Sequence, residues 1–334
     1  MESCIIIDKI MMNYIDFETG SIAYSNEYVE LNNCALLDYY HSKIEKTLCN
    51  ENVKRVDNIR KEVFDLLKYA SKENEEFDIY AKTITDELAN LGSKITDMPN
   101  SNIMFTKFLM NGEPYFGIIK LNFKDMPKMV TKTSEDKKSI LLANKQQFNT
   151  SPSKADEAVF FKIDSEEVYL IEKKFKIDDK PSFYLNEFWL KGEKRYSDKE
   201  KLENLHKVLN TINKIYNIFD EDPLLLLRRY ISNFDGFYMF DALEDVLEDN
   251  LEDTVNFDAI KEEAKKLLES CGFKNEDMIF YYKDPSVTKL KTRDDIEIKA
   301  NNLDFLDNQK IEIKGNNEGT YDITIKNVEG YFFK

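Results

Sequence analysis

The chain has little of what most catalytic sites are built from. Among its 334 residues there are two histidines, His41 and His206, and ten glycines. Each histidine sits in an amphipathic helical pattern, beside Tyr40 and beside Leu205, where a helix-edge role is commoner than a general base. So few glycines leave little for phosphate-cradling loops, and no P-loop, GxGxxG, GxSxG or HExxH pattern is present. The four cysteines, Cys4, Cys34, Cys49 and Cys271, are scattered and form no CxxC pair. That spacing argues for reduced thiols rather than a disulfide framework or a zinc site. No apolar run approaches the ~18–20 residues of a membrane span. The opening MESCIIIDKIMM lacks the basic start and small-residue cleavage site of a signal peptide. These absences predict a cytoplasmic protein that is not an enzyme, uses no cofactor and has no membrane contact.

What is present describes a globular protein. Hydrophobic residues make up 42% and charged residues 33%, too apolar for disorder and long enough for two domains. The charge is lopsided: 63 acidic residues against 47 basic ones give a net charge of -16. Such a chain repels polyanions at long range, so nucleic-acid binding requires basic residues to cluster on one face.

Periodicity predicts α+β architecture in two domains, each with antiparallel hairpins or sheet and packed helices. Residues 1–125 form the first. A strand, a turn at Gly20 and a second strand through 22–31 precede a helix capped by Asn32 or Asn33. Helices over 56–69 and 77–91 follow, the latter stopped by Gly92. A hairpin, IMFTKFLM-NGEP-YFGIIKLNF, then turns at Asn111-Gly112. Residues 126–155 contain Pro127 and Pro152 and lack long periodicity, which predicts a connecting segment. The second domain, 156–334, opens with the hairpin AVFFKID-SEE-VYLIEKKF. Helices are expected over 183–190, over 198–219, from Pro223 through LLLLRRYI, over the acidic stretch 241–253, and over 257–271. Short strands close the chain.

Three Glu-x-Lys triplets invite a nuclease reading, because metal-dependent nucleases place an aspartate on one strand and Glu-x-Lys on the next. Two lie in the repeated IEIK, at 296–299 and 311–314, near Asp294, Asp295 and Asp307. The third is Glu172-Lys174, with Asp164 on the preceding arm. All three follow simple strand alternation, with Glu and Lys on a wet face. Three copies of so short a pattern indicate generic strand chemistry.

The basic candidates are Lys128, Lys132, Lys137, Lys138 and Lys145 in the connecting segment, and the pair Arg228 and Arg229. Lys191/Lys194/Arg195 and Lys289/Lys291/Arg293 are further clusters. Singly, each reads as solvated surface, and phosphate binding needs convergence. The stretch DALEDVLEDNLED reads as a solvated acidic face over a leucine stripe; the functional alternative is a surface for a basic partner or a self-blocking arm.

Several stretches in order carry a family resemblance: CIIIDKIMMNYID, YFGIIKLNF, DEAVFFKIDSEEVYLIEKKF with FYLNEFWLKG, and DDIEIKANNLDFLDNQKIEIKGNNEGTYDITIKNV. In the last, Gly319-Thr320 precedes the strand Ile323-Asn327. Together they resemble the bacterial nucleoid-associated protein family of the NdpA/YejK type. The resemblance implies a DNA-binding protein of the cytoplasm and nucleoid without known catalysis; with the lysine clusters, it leads us to expect a non-catalytic double-stranded-DNA-binding protein that contacts mainly phosphate. It assigns no residue-level contacts. The alternatives are a DNA-associated subunit of a phage-defence or other multi-protein system, with a protein partner or homo-oligomer, and a metal-dependent nuclease using the central hairpin.

Overall fold

A computed structural model describes residues 4–72, 76–134, 137–148, 153–177, 180–219, 222–231, 234, 236–250, 257–280, 287–291, 297–301, 311–315 and 321–326. The architecture is α+β, and the chain divides into two compact units, Met1–Tyr196 and Ser197–Lys334.

The first unit is built on one antiparallel sheet. Its strands are β1 (Ile5–Asp16), β2 (Ser21–Ala23), β3 (Lys54–Asp57), β4 (Ser101–Met110), β5 (Glu113–Ser134), β6 (Lys137–Phe148), β7 (Glu157–Lys162) and β8 (Glu167–Ile171). A second small pair, β9 (Phe175–Ile177) and β10 (Lys180–Ser182), and the edge strand β11 (Glu193–Lys194) complete it. The sheet order is β11-β3-β8-β7-β5-β4-β1-β2, with β6 paired to β5 off this path. The helices α1 (Cys34–Leu48), α2 (Lys61–Lys72) and α3 (Phe77–Gly92) cover the sheet.

Both sheet faces are buried, and strand alternation explains which residue goes where. Phe116, Ile118, Val159 and Phe161 enter a core with Val63 and Leu67 of α2 and Ile84 and Leu88 of α3. Their neighbours Tyr115, Ile119, Ala158 and Phe160 enter the opposite core with Tyr40, Ile44 and Leu48 of α1. Strands apolar on both faces read as continuous hydrophobic runs, which is why YFGII and AVFF show no alternation in sequence.

Local chemistry sets several element ends. Asn33 Oδ1 accepts from Leu36 N at 3.3 Å and caps α1. The β4–β5 turn holds Asn111 and Gly112 at φ 53° and 84°, the left-handed conformation that two-residue hairpins favour. The expected helix over 56–69 begins later, at Lys61, because residues 54–56 pair with β8 and Asp57 with β11 instead. The expected strand over 22–31 is short, ending at Ala23. Leu185–Leu190 is a π-helix, closed by Lys191 at φ 54°.

The connection expected at 126–155 is largely strand. β5 runs unbroken from the main sheet to Ser134 and pairs with β6 over twelve positions, Phe123–Ser134 against 137–148. Pro127 is accommodated because each strand of a two-stranded ribbon keeps one open edge. β5 also pairs with β7, so residues on both sides of the expected divisions at 125 and 156 share one sheet.

The second unit has α4 (Asp198–Tyr216), α5 (Pro223–Ile231), α6 (Met239–Glu248) and α7 (Phe257–Ser270) around one core, with β12 (Phe237–Tyr238) paired to β13 (Met278–Ile279). A capping box, Ser197 with Glu200, starts α4. Two hairpins follow: β14 (Val287–Lys291) with β15 (Glu297–Asn301), and β16 (Ile311–Gly315) with β17 (Tyr321–Ile325). Glu297–Lys299 of the first IEIK copy and the whole of the second therefore belong to separate hairpins, with Ile311 opposite Ile325 and Ile313 opposite Ile323.

Candidate nucleic-acid interface

Five of the seven basic candidates lie on one structural element. Lys128 and Lys132 are on β5, and Lys137, Lys138 and Lys145 are on β6. Beyond Asn122 the β5 backbone leaves its ladder with β4, apart from a bond of 2.8 Å from Phe123 N–H to the Asn100 carbonyl, and β6 is the strand paired with it among the described residues. The result is a two-stranded ribbon whose strands hold six lysines, with Lys124, and one acid, Asp125; the residues joining the strands, Glu135 and Asp136, are also acidic and fall outside the described residues. Lys124, exposed at the base of the ribbon, was not among the sequence candidates. Counting strand parity back from Lys128 is the signal that finds it.

Register sorts these positions further. Successive strand residues alternate faces, and directly opposed residues share one. Lys124, Lys128 and Lys132 have one parity on β5. Lys137 stands opposite Ser134 and Lys145 opposite Met126, positions of that same parity. Five lysine positions thus fall on one face, whose remaining positions are uncharged. Lys138, opposite Thr133, falls on the other face with Asp125.

Arg228 and Arg229 lie in the last turn of α5, in the second unit. Both are half-buried, and Arg228 helps hold the Asp222 carboxyl below its usual range, after the larger effect of His206. His206 itself sits 2.7 Å from the Asn210 amide and 3.7 Å from Asp222, on the edge of α4. Lys289 and Lys291 lie on β14; Arg293, Asp294, Asp295, Asp307, Gly319 and Thr320 fall outside the described residues.

Lys194 and Arg195 are committed within the first unit. Lys194 Nζ meets Glu172 at 3.0 Å, and Arg195 Nε meets Asp57 at 2.6 Å. Arg55 binds the same Asp57 at 2.8 Å and Glu167 at 2.6 Å. Arg55, Asp57, Glu167 and Arg195, but not Lys194 or Glu172, line a cleft of about 330 Å³ with Asn58, Phe64 and Glu166. Two guanidinium groups here face three carboxylates, so the cleft offers an anion no net positive field.

The Glu-x-Lys triplet of the central hairpin is also structural in its geometry. Asp164 lies in the β7–β8 turn, whereas Glu172 follows the far end of β8. Five strand residues between them span roughly 17 Å, too far to share one metal ion. Glu172 accepts from Asn186 N and from Lys194, both at 3.0 Å. Burial nonetheless pushes its carboxyl up. Among the described residues, no group of three or more His, Cys, Asp or Glu is arranged to hold a metal ion, and no helix is long and apolar enough to cross a membrane.

The acidic helix is less bare than its sequence. Leu243, Val246 and Leu247 are buried as the stripe predicts. Glu244, however, is gripped by Lys261 at 2.5 Å and by Lys265, and Glu248 by Lys261 at 3.2 Å. The bases come from α7, which the local sequence of α6 does not contain. Residues 251–253 of the stretch fall outside the described residues.

No family model matches the chain, and no curated protein matches it significantly.

Proposed function

We propose that this protein binds double-stranded DNA without cleaving it, as a nucleoid-associated protein of the cytoplasm, and that its contacts are mainly to phosphate. The single observation carrying this reading is the β5–β6 ribbon: the stretch 123–148 has six lysines against three acids, Asp125, Glu135 and Asp136, a local positive excess in a chain of net charge -16. A chain that is acidic overall yet basic on one element has the local patch that polyanion binding requires. The family resemblance points the same way. The ribbon contains no arginine, the residue that most often reads guanine edges, which favours backbone contact over base readout.

The test is a titration of labelled duplex by anisotropy at low salt, beside incubation of supercoiled DNA with magnesium or manganese. The reading expects saturable binding and intact DNA. Absence of binding at low salt removes it and favours a subunit that reaches DNA through a protein partner. Cleavage lost on Glu172→Ala favours the nuclease.

A further inference from the structure

We infer that one face of the β5–β6 ribbon, the face holding Lys124, Lys128, Lys132, Lys137 and Lys145, is the surface that lies along the DNA backbone, and that Lys138 on the other face takes no part. This rests on the DNA-binding reading and specifies its geometry. Twelve opposed pairs at ~3.4 Å per residue give a ribbon of roughly 40 Å, longer than one turn of B-form duplex, about 34 Å. A two-stranded ribbon has the width the major groove admits. Lysines four residues apart on β5 recur about every 13 Å, so they meet phosphates at successive points along the duplex rather than crowding one. The two faces differ in charge as well as in position. Among the paired positions, five cations and no carboxylate fall on one, while Lys138 and Asp125 offset each other on the other; Glu135 and Asp136, between the strands, belong to neither count. Only the first face gathers enough charge to displace several counterions at once. An acidic protein surface is the competing occupant, and lysines spaced over a whole helical turn fit the regular charge of a duplex better.

Two adjacent residues make the test sharp. Lys137→Gln and Lys138→Gln change net charge equally and differ in face alone. Binding of a labelled duplex of random sequence is measured across a salt series for both, and for the triple variant K128Q/K132Q/K145Q. The emission of buried Trp189 confirms that the first unit is folded in each. Lys137→Gln should weaken binding and reduce the log–log salt slope by about 0.9, and the triple variant by about 2.7. Lys138→Gln should match the wild type. Equal losses for Lys137→Gln and Lys138→Gln overturn the face assignment, because only net charge then matters. A triple variant that binds like wild type overturns the ribbon while leaving DNA binding in place. A wild type that binds no duplex, yet is captured by an acidic protein through these lysines, overturns both.

Discussion

Lys120 and Glu157 stand directly opposite one another on β5 and β7 and form an ion pair inside the first unit, Nζ to Oε2 at 2.9 Å. Their side chains are 5% and 0% exposed, so neither charge has water to fall back on. Asn122 donates to the same carboxylate oxygen at 3.0 Å, and the rings of Phe17, Phe175 and Tyr184 lie 5.2–5.7 Å from the ammonium. Burial lowers the Lys120 pKa, and Glu157 opposes that shift. Removing one partner strands the other charge. Glu157→Ala should therefore cost about 3–5 kcal/mol in urea unfolding followed by Trp189 emission. The double replacement Lys120→Met/Glu157→Leu should recover most of that loss. A double variant as unstable as Glu157→Ala alone would contradict this account.

Lys43 predicts a pH dependence of the opposite sense to most alkaline effects. It is 3% exposed, its Nζ donates to the Ser153 carbonyl, and burial pushes its pKa down to about 8 from 10.5. Between those values the unfolded chain holds a proton that the folded chain has released, so stability rises with pH across that window. Below pH 8 the buried charge costs up to about 3 kcal/mol. Lys43→Met should thus be more stable than wild type at pH 7, and the gap should close by pH 10.5. Tyrosines act oppositely above pH 10, Tyr115 being raised to about 12 by burial, but they cancel in the difference. A gap that stays constant from pH 7 to 10.5 contradicts the assignment.

Glu172 is predicted to matter for folding. Its carboxylate holds Lys194 of β11 and the backbone N–H of Asn186 in the π-helix. Glu172→Ala should lower stability by about 1–3 kcal/mol, the cost of leaving such partners unmet. Calorimetry showing an unchanged unfolding temperature would return this residue to the list of catalytic candidates.

The acids of α6 give a graded expectation. Glu244→Gln breaks a partly exposed network with Lys261 and Lys265, which predicts a loss of only about 0.5–1 kcal/mol. DNA affinity should stay the same or rise, since a negative charge is removed. A clear fall in affinity would place this helix at the interface.

Much of the fold could be read locally, and what could not shares one cause. The Asn111-Gly112 and 163–166 hairpins and the Asn33 cap announce themselves through turn and cap chemistry that acts within a few residues. Helix α4 is written in the spacing of Leu205, Leu209 and Ile212. By contrast, β3 pairs with β8 more than a hundred residues away, and nothing in KRVD signals a strand rather than a helix start. The join of β5 to β7, which carries the first unit to Tyr196, is likewise a matter of distant pairing. The ribbon was hidden differently. Pro127 and the interleaved lysines suppress strand propensity although Val130, Thr131, Thr133 and Ile140 favour it. The lysines themselves stood out in sequence; their common face did not, because it depends on register across a turn. Lys120 and Glu157 were invisible for the same reason.

The salt dependence of duplex binding by the unmodified protein tests the central claim most directly. Five phosphate contacts from one face of the ribbon should give a plot of log K against log salt with a slope of about -4 to -5, independent of DNA sequence. Failure to bind duplex at ~50 mM salt, or a slope near zero, would contradict it.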